Sequence, residues 1–175
     1  MRPKTWLLPL SLGLSDGILN ALVLASSAIV HGGAALRVGL AVRVGLVGLA
    51  TGAFTVFVAQ YTSFRSRLAR SERQLNFTRS GRLIRTELGR AAVYEAAEDA
   101  AVAGLSSFAG SFGPLLLGAS LPSYHWLALV VAVCGLGALG GTLARAVGGL
   151  PLRWASVSMV CGASVAGLGI ELRIA

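Results

Sequence analysis

Apolar residues follow one another along this chain in five long blocks, and charged residues collect between the blocks. Each block holds about 20 residues, the length that an α-helix needs to cross a hydrocarbon core of roughly 30 Å. The pattern therefore predicts five membrane-spanning helices, near Leu7 to Val30, Val38 to Ser63, Ala100 to Leu121, Trp126 to Ala144 and Trp154 to Ile174.

The composition agrees with a membrane protein. Hydrophobic residues make up 55% of the 175 residues and charged residues 13%, whereas a soluble domain carries roughly a quarter charged residues. The sequence lacks the alternating apolar and polar residues of an outer-membrane β-barrel, and helices satisfy every backbone amide within lipid. We expect an all-α integral membrane protein built as a five-transmembrane-helix bundle.

One insertion is predicted within this bundle. Residues 1–63 form helices 1 and 2, residues 64–99 form a short cytoplasmic helical insertion between helices 2 and 3, and residues 100–175 form helices 3 to 5. Leucines recur at helical spacing among the arginines of the insertion, and Gly81 indicates a break between two helices. The three parts belong to one transmembrane domain.

The distribution of arginines predicts the orientation. Residues 65–90 contain eight arginines, but the connection between the third and fourth predicted helices, residues 123–125, has none. Positive charge is retained on the cytoplasmic side of a membrane, so the insertion is expected to be cytoplasmic. With five spans the amino terminus is then also cytoplasmic, and we expect a multi-pass protein of the cell (plasma) membrane.

The net charge of +8 raises the question of nucleic-acid binding, for which a basic surface is typical. In a membrane protein the same excess follows from topology and from anionic lipid at the cytoplasmic face. We therefore expect the lipid bilayer and no nucleic acid as a partner. The sequence has no ATP-binding P-loop, nucleophile–base pair or zinc-spacing motif, so we expect neither an enzyme nor a bound cofactor.

Asp16 interrupts the first apolar block, which runs from Trp6 to Val30. A carboxylate within a bilayer is costly, and such a residue indicates a functional site. The alternative is a helix cap, in which the carboxylate accepts backbone N–H bonds near the interface.

Three carboxylates, Glu95, Glu98 and Asp99, precede the third predicted helix. Their spacing places them on one face of a helix that leads into the membrane. Oxygen ligands of this kind suit iron(II) and manganese(II). The alternative is a solvated face that pairs with Arg90 and its neighbours.

Glycines four residues apart occur in the second and fourth predicted helices, at Gly48 and Gly52 and at Gly137 and Gly141. Such pairs let neighbouring helices approach closely. They indicate either tight packing within the bundle or a dimer.

The order of features resembles the vacuolar iron transporter family, whose members have five transmembrane helices and a cytoplasmic helical insertion between the second and third. The Ser15-Asp16-Gly17 stretch resembles the signature of the first helix in that family, where the aspartate lines the ion path. Four stretches carry the resemblance, namely Gly13–Ile18, Gly52–Ser63, Ser107–Pro114 and Pro151–Gly162.

The resemblance implies a homodimer in which the two first helices face each other, with Ile18 near its symmetry mate and both copies of Asp16 along a path at the interface. It implies proton-coupled export of iron or manganese from the cytoplasm. Neutral oxygen ligands along that path would come from Thr55, Gln60 and Tyr61.

The sequence departs from the family in the second helix. Val56 stands where the family usually has a methionine, and Gln60 where many bacterial members have a glutamate. Valine cannot coordinate a metal ion, and an amide binds one less strongly than a carboxylate does. Two alternatives therefore stay open, a membrane scaffold or regulatory protein that kept the fold without transport, and a transporter of another small solute.

Overall fold

A computed structural model of the protein describes residues 6–30, 37–74, 87–121, 124 and 126–171. Within these residues the chain forms five α-helices and no strand. All five are long and apolar enough to cross a membrane, which confirms the predicted number and type of elements. The helices are α1 (Leu7–Val30), α2 (Val38–Gln74), α3 (Glu87–Ser120), α4 (Trp126–Val147) and α5 (Pro151–Glu171).

The helices α2 and α3 are longer than the apolar blocks that predicted them. α2 continues for 11 residues after Ser63, and α3 begins 13 residues before Ala100. Residues 64–74 contain neither glycine nor proline, and arginine, glutamate and glutamine are good helix formers, so loss of hydrophobicity does not end the helix. Gly81 and the rest of 75–86 lie outside the described residues, and a separate helical insertion there stays a prediction.

α1 is the central helix, because it packs against each of the other four. It runs parallel to α3, since Gly13 and Gly17 of α1 contact Ala103 and Ser107 of α3 in the same order. At a rise of 1.5 Å per residue, this alignment extends the amino end of α3 by about 15 Å beyond the start of α1. The first turns of α3 thus project from one end of the bundle.

α2 packs against α3 in the antiparallel direction. Gly45 of α2 meets the ring of Phe108, whereas Gly52, further along α2, meets Ser107, which comes earlier in α3. The carboxyl end of α2 therefore projects from the same end of the bundle as the amino end of α3.

α5 runs parallel to α1, because Gly162 and Gly169 of α5 meet Leu22 and Ser26 of α1 in the same order. A tight turn joins α4 to α5, and Gly148 in that turn has a φ of 74°, a conformation that favours glycine. The five helices therefore alternate in direction. One end of the bundle collects the amino ends of α1, α3 and α5 and the carboxyl ends of α2 and α4.

Three of the four predicted glycines, Gly48, Gly52 and Gly137, lie on packing surfaces within the protein. A Cβ atom at Gly48 would lie 3.0 Å from Ser107 Oγ. In the second pair, a Cβ atom at Gly137 would overlap the Met159 side chain, whereas one at Gly141 would have only the Pro151 carbonyl oxygen nearby, at 3.9 Å. Close approach of helices inside one protomer accounts for these three glycines, as is common in membrane bundles, and does not account for Gly141.

The centre of the bundle is built from small side chains. The buried residues are mostly alanines and serines, among them the fully buried Ser26, Ser27, Ser107 and Ser111, and Leu22 and Leu115 are the largest fully buried apolar residues. Large apolar side chains such as Phe54 and Leu152 are exposed. An apolar outer surface of this kind is compatible with contact with a lipid bilayer.

Candidate functional site

Asp16 lies well inside α1, nine residues after the helix begins at Leu7. The first turn of α1 contains no acidic residue, so the helix-cap interpretation is wrong, because a cap satisfies backbone N–H groups of the first turn. The carboxylate instead accepts a hydrogen bond from α3, since the hydroxyl of Ser107 donates to Asp16 Oδ2 at 3.2 Å. Ser107 is fully buried, whereas Asp16 is exposed.

Glycines on two helices allow Ser107 to reach this position. A Cβ atom at Gly17 of α1 would overlap the backbone carbonyl of Ser107, and one at Gly52 of α2 would lie 3.1 Å from Ser107 Cβ. The three backbones therefore approach closely enough for a side chain as short as serine to bridge them. Ser111, one turn further along α3, donates to the Ser107 carbonyl at 2.9 Å.

The exposed side of Asp16 faces a groove between α1 and α2 with a volume of about 520 Å³. The groove combines one carboxylate, one guanidinium, two neutral polar side chains and four aliphatic ones. Its lining residues are Asp16, Asn20, Val23 and Leu24 of α1 and Arg43, Val44, Val47 and Thr51 of α2.

The two charged groups lie at different depths in this groove. Ser107 touches both Asp16 and the Gly48–Gly52 stretch of α2, so Asp16 lies at the level of that stretch. Arg43 precedes it by five to nine residues, which corresponds to about 10 Å along the helix axis. The groove thus has a negative end at Asp16 and a positive end at Arg43, with aliphatic side chains between them.

The polar side chains of the groove offer oxygen atoms to a ligand. The Thr51 hydroxyl donates within its own helix to the carbonyls of Val47 and Gly48, at 3.0 and 3.3 Å. Its oxygen lone pairs remain as acceptors. Asn20 follows Asp16 by one helical turn and adds an amide. Within the described part of the chain, Arg43 has neither a hydrogen bond nor an ion pair.

The structure places the other predicted path residues apart from Asp16. Gln60 Nε2 donates to Asp99 Oδ2 at 3.0 Å and so links α2 to α3. Tyr61 stacks on Phe57 with ring centroids 5.9 Å apart. On α3, Asp99 precedes Ser107 by eight residues, so Gln60 lies about 12 Å from the level of Asp16, towards the projecting ends of α2 and α3. Tyr61 follows Gln60 in the same direction. Thr55 is exposed one turn after Thr51 and does not line the groove.

The three predicted metal-binding carboxylates differ in exposure and in hydrogen bonding. Glu95 and Glu98 are exposed on α3, whereas Asp99 is partly buried and accepts the hydrogen bond from Gln60. Among the described residues, no group of three or more histidine, cysteine, aspartate or glutamate side chains is arranged to hold a metal ion. Metal binding by Glu95, Glu98 and Asp99 stays a prediction.

Sequence reasoning missed three residues of the site. Asn20 was recognisable, because it lies four residues after Asp16 and so shares its helix face. Arg43 and Thr51 lie eight residues apart and likewise share a face of α2. The missing information was which face of α2 turns towards α1, and that depends on tertiary packing.

Comparison with known proteins adds no relative. No protein-family model, no curated protein and no solved structure matches this chain. The resemblance to the vacuolar iron transporter family therefore rests on the four sequence stretches alone, and any assignment of function depends on the groove and its residues.

Proposed function

We propose that the protein is a membrane transporter of divalent transition-metal ions, Fe²⁺ or Mn²⁺, with Asp16 as the principal ion ligand. The position of Asp16 carries this proposal. Its carboxylate lies in the middle of a membrane-length helix, on the wall of a groove, and is held by Ser107. A carboxylate is costly at this depth and is characteristic of ion pathways.

Oxygen donors on both sides of the groove support an ion site around Asp16. The Asn20 amide and the Thr51 hydroxyl oxygen add neutral ligands to one carboxylate, a donor set that suits manganese(II) and iron(II). One protomer supplies few ligands, and the groove is open along its side. A second copy that covers α1 and α2 would close the groove and add its own Asp16, so we propose a homodimer as the working unit.

The charge distribution supports transport from the cytoplasm outwards. Arginines concentrate at the end of the bundle where α2 and α3 project, with Arg65, Arg67 and Arg70 on α2, Arg145 on α4 and Arg153 on α5. Because positive charge marks the cytoplasmic side, this end and the amino terminus face the cytoplasm. The membrane is then the plasma membrane. Glu95, Glu98 and Asp99 lie at this end and would attract metal ions before entry.

The path from this end to Asp16 passes the level of Gln60 and Tyr61 and then that of Thr55, which we propose as neutral positions along the route. A carboxylate accepts either a metal ion or a proton. Exchange of the two at Asp16 would couple metal export to proton uptake from outside. No further cofactor is needed for this cycle.

Metal flux into proteoliposomes tests the proposal. Uptake of Fe²⁺ and Mn²⁺ is measured under an imposed pH gradient for the wild type, for Asp16→Asn and for Glu171→Gln, a matched control that removes an exposed carboxylate outside the groove. We expect flux in the wild type and in the control, and a loss of at least tenfold in Asp16→Asn. Absence of flux in well-folded wild-type protein would contradict the proposal and favour a scaffold or a transporter of another solute.

A further inference from the structure

The groove beside Asp16 is much larger than a metal ion requires. Its volume of about 520 Å³ falls within the range of roughly 300 to 1,000 Å³ that is typical of sites for small organic molecules. A single water molecule takes about 30 Å³ of liquid volume. A bare or partly hydrated ion at Asp16 would therefore leave most of the groove, including the Arg43 end, to another occupant.

The charges of the groove point to what that occupant is. Asp16 and Arg43 carry one negative and one positive charge, so their formal sum is zero. A dication at Asp16 would leave two positive charges uncompensated between membrane-spanning helices, where charge interactions are only weakly screened. An anion bound beside the dication would restore neutrality and would be attracted by Arg43.

Arg43 has the chemistry to bind such an anion. A guanidinium donates paired hydrogen bonds that match the geometry of a carboxylate or a phosphate. Within the described part of the chain, Arg43 has no hydrogen bond or ion pair of its own. Between it and Asp16 lie Asn20, which offers amide donors, and aliphatic residues such as Val47, which suit a short carbon skeleton.

We infer that the groove binds the metal ion together with a small carboxylate- or phosphate-bearing anion, with the metal at Asp16 and the anion at Arg43. This inference rests on the proposed metal transport and names the form in which the metal would be carried. Arg43 is then a determinant of substrate specificity.

Anion retention by the purified full-length protein tests the inference. The protein is placed in phosphatidylcholine nanodiscs, and retention of radiolabelled citrate and of inorganic phosphate is measured with and without Mn²⁺. The variants are Arg43→Gln, Arg43→Lys and Arg37→Gln. Arg37 is the matched control, because it is exposed just before α2 and does not line the groove.

We expect Mn²⁺ to raise retention of at least one of the two anions by tenfold or more. Arg43→Gln should abolish this increase and Arg37→Gln should preserve it. Arg43→Lys should restore part of it, because an ammonium group supplies the charge without the paired donors. Equal retention in the wild type and in Arg43→Gln would overturn the inference.

A separate measurement of Mn²⁺ binding distinguishes failure of the anion site from failure of the metal site. Mn²⁺ binding in the presence of the anions, with neither anion retained, would overturn the inference and leave metal transport standing. Absence of Mn²⁺ binding would overturn both, whatever the anions do. Loss of anion retention when phosphatidylglycerol replaces phosphatidylcholine would assign Arg43 to the headgroup of an anionic lipid and would overturn a soluble anion as the second ligand.

Discussion

The hydroxyl of Ser107 on α3 donates a hydrogen bond to the carboxylate of Asp16 on α1, with 3.2 Å between the two oxygen atoms. This bond fixes an exposed acidic side chain by means of a fully buried serine. It connects the packed interior of the bundle to the groove, so a change in the packing around Ser107 should also affect the ion site.

Replacing Ser107 with alanine removes the donor and leaves the Asp16 carboxylate unrestrained. We expect metal flux to fall severalfold and the free energy of unfolding to fall by about 1 kcal/mol, the usual contribution of one hydrogen bond. Proteoliposome flux and thermal unfolding in detergent measure the two effects. Ser106→Ala is the control, since the Ser106 hydroxyl donates to the Ala103 carbonyl of its own helix at 3.0 Å. Equal flux in the two variants would contradict a positioning role for Ser107.

Substitution of Gly17 by alanine should separate α1 from α3. The added Cβ atom would overlap the Ser107 carbonyl, and overpacking of this kind destabilises a protein by about 1 to 3 kcal/mol. We expect a lower midpoint of thermal unfolding together with reduced flux. Gly167→Ala is the matched control, because a Cβ atom there has no atom within 4 Å. A midpoint for Gly17→Ala at or above that of the control would show that the two helices do not need this close contact.

Gln60→Glu places a second carboxylate against Asp99, which now accepts a hydrogen bond from the amide at 3.0 Å. Two carboxylates at this distance repel each other and attract a divalent cation. We expect the variant to unfold at a lower temperature than the wild type without metal and to gain more stability on addition of Mn²⁺. Gln60→Ala should show no such gain. If Mn²⁺ stabilised the wild type and both variants equally, positions 60 and 99 would not contribute to metal binding.

A disulfide at position 20 tests the proposed dimer. Asn20 faces the open groove, whereas Ile18, which the family resemblance places near its symmetry mate, is buried within the protomer. In a protein whose two native cysteines are replaced, Asn20→Cys should form a crosslinked dimer under mild oxidation, and Ile18→Cys should not. Monomeric Asn20→Cys throughout would contradict closure of the groove by a second copy.

The sequence predicted the helices well and the site only in part. Five helices follow from apolar blocks of the right length, and Asp16 was recognisable because a carboxylate is rare in such a block. The lengths of α2 and α3 were underestimated, since helix formation continues through charged residues beyond the apolar blocks. The groove was not predictable, because Arg43 and Asp16 share it only through the packing of Gly17, Gly52 and Ser107.

Binding of Mn²⁺ to the purified protein in nanodiscs, followed by electron paramagnetic resonance, is the decisive test of an ion site at Asp16. The free ion gives a strong signal that diminishes when the ion is bound, so a titration counts the sites. We predict that the wild type and Glu171→Gln bind Mn²⁺ and that Asp16→Asn loses this binding. Undiminished binding by Asp16→Asn, in protein that unfolds at the same temperature as the wild type, would contradict an ion site at Asp16.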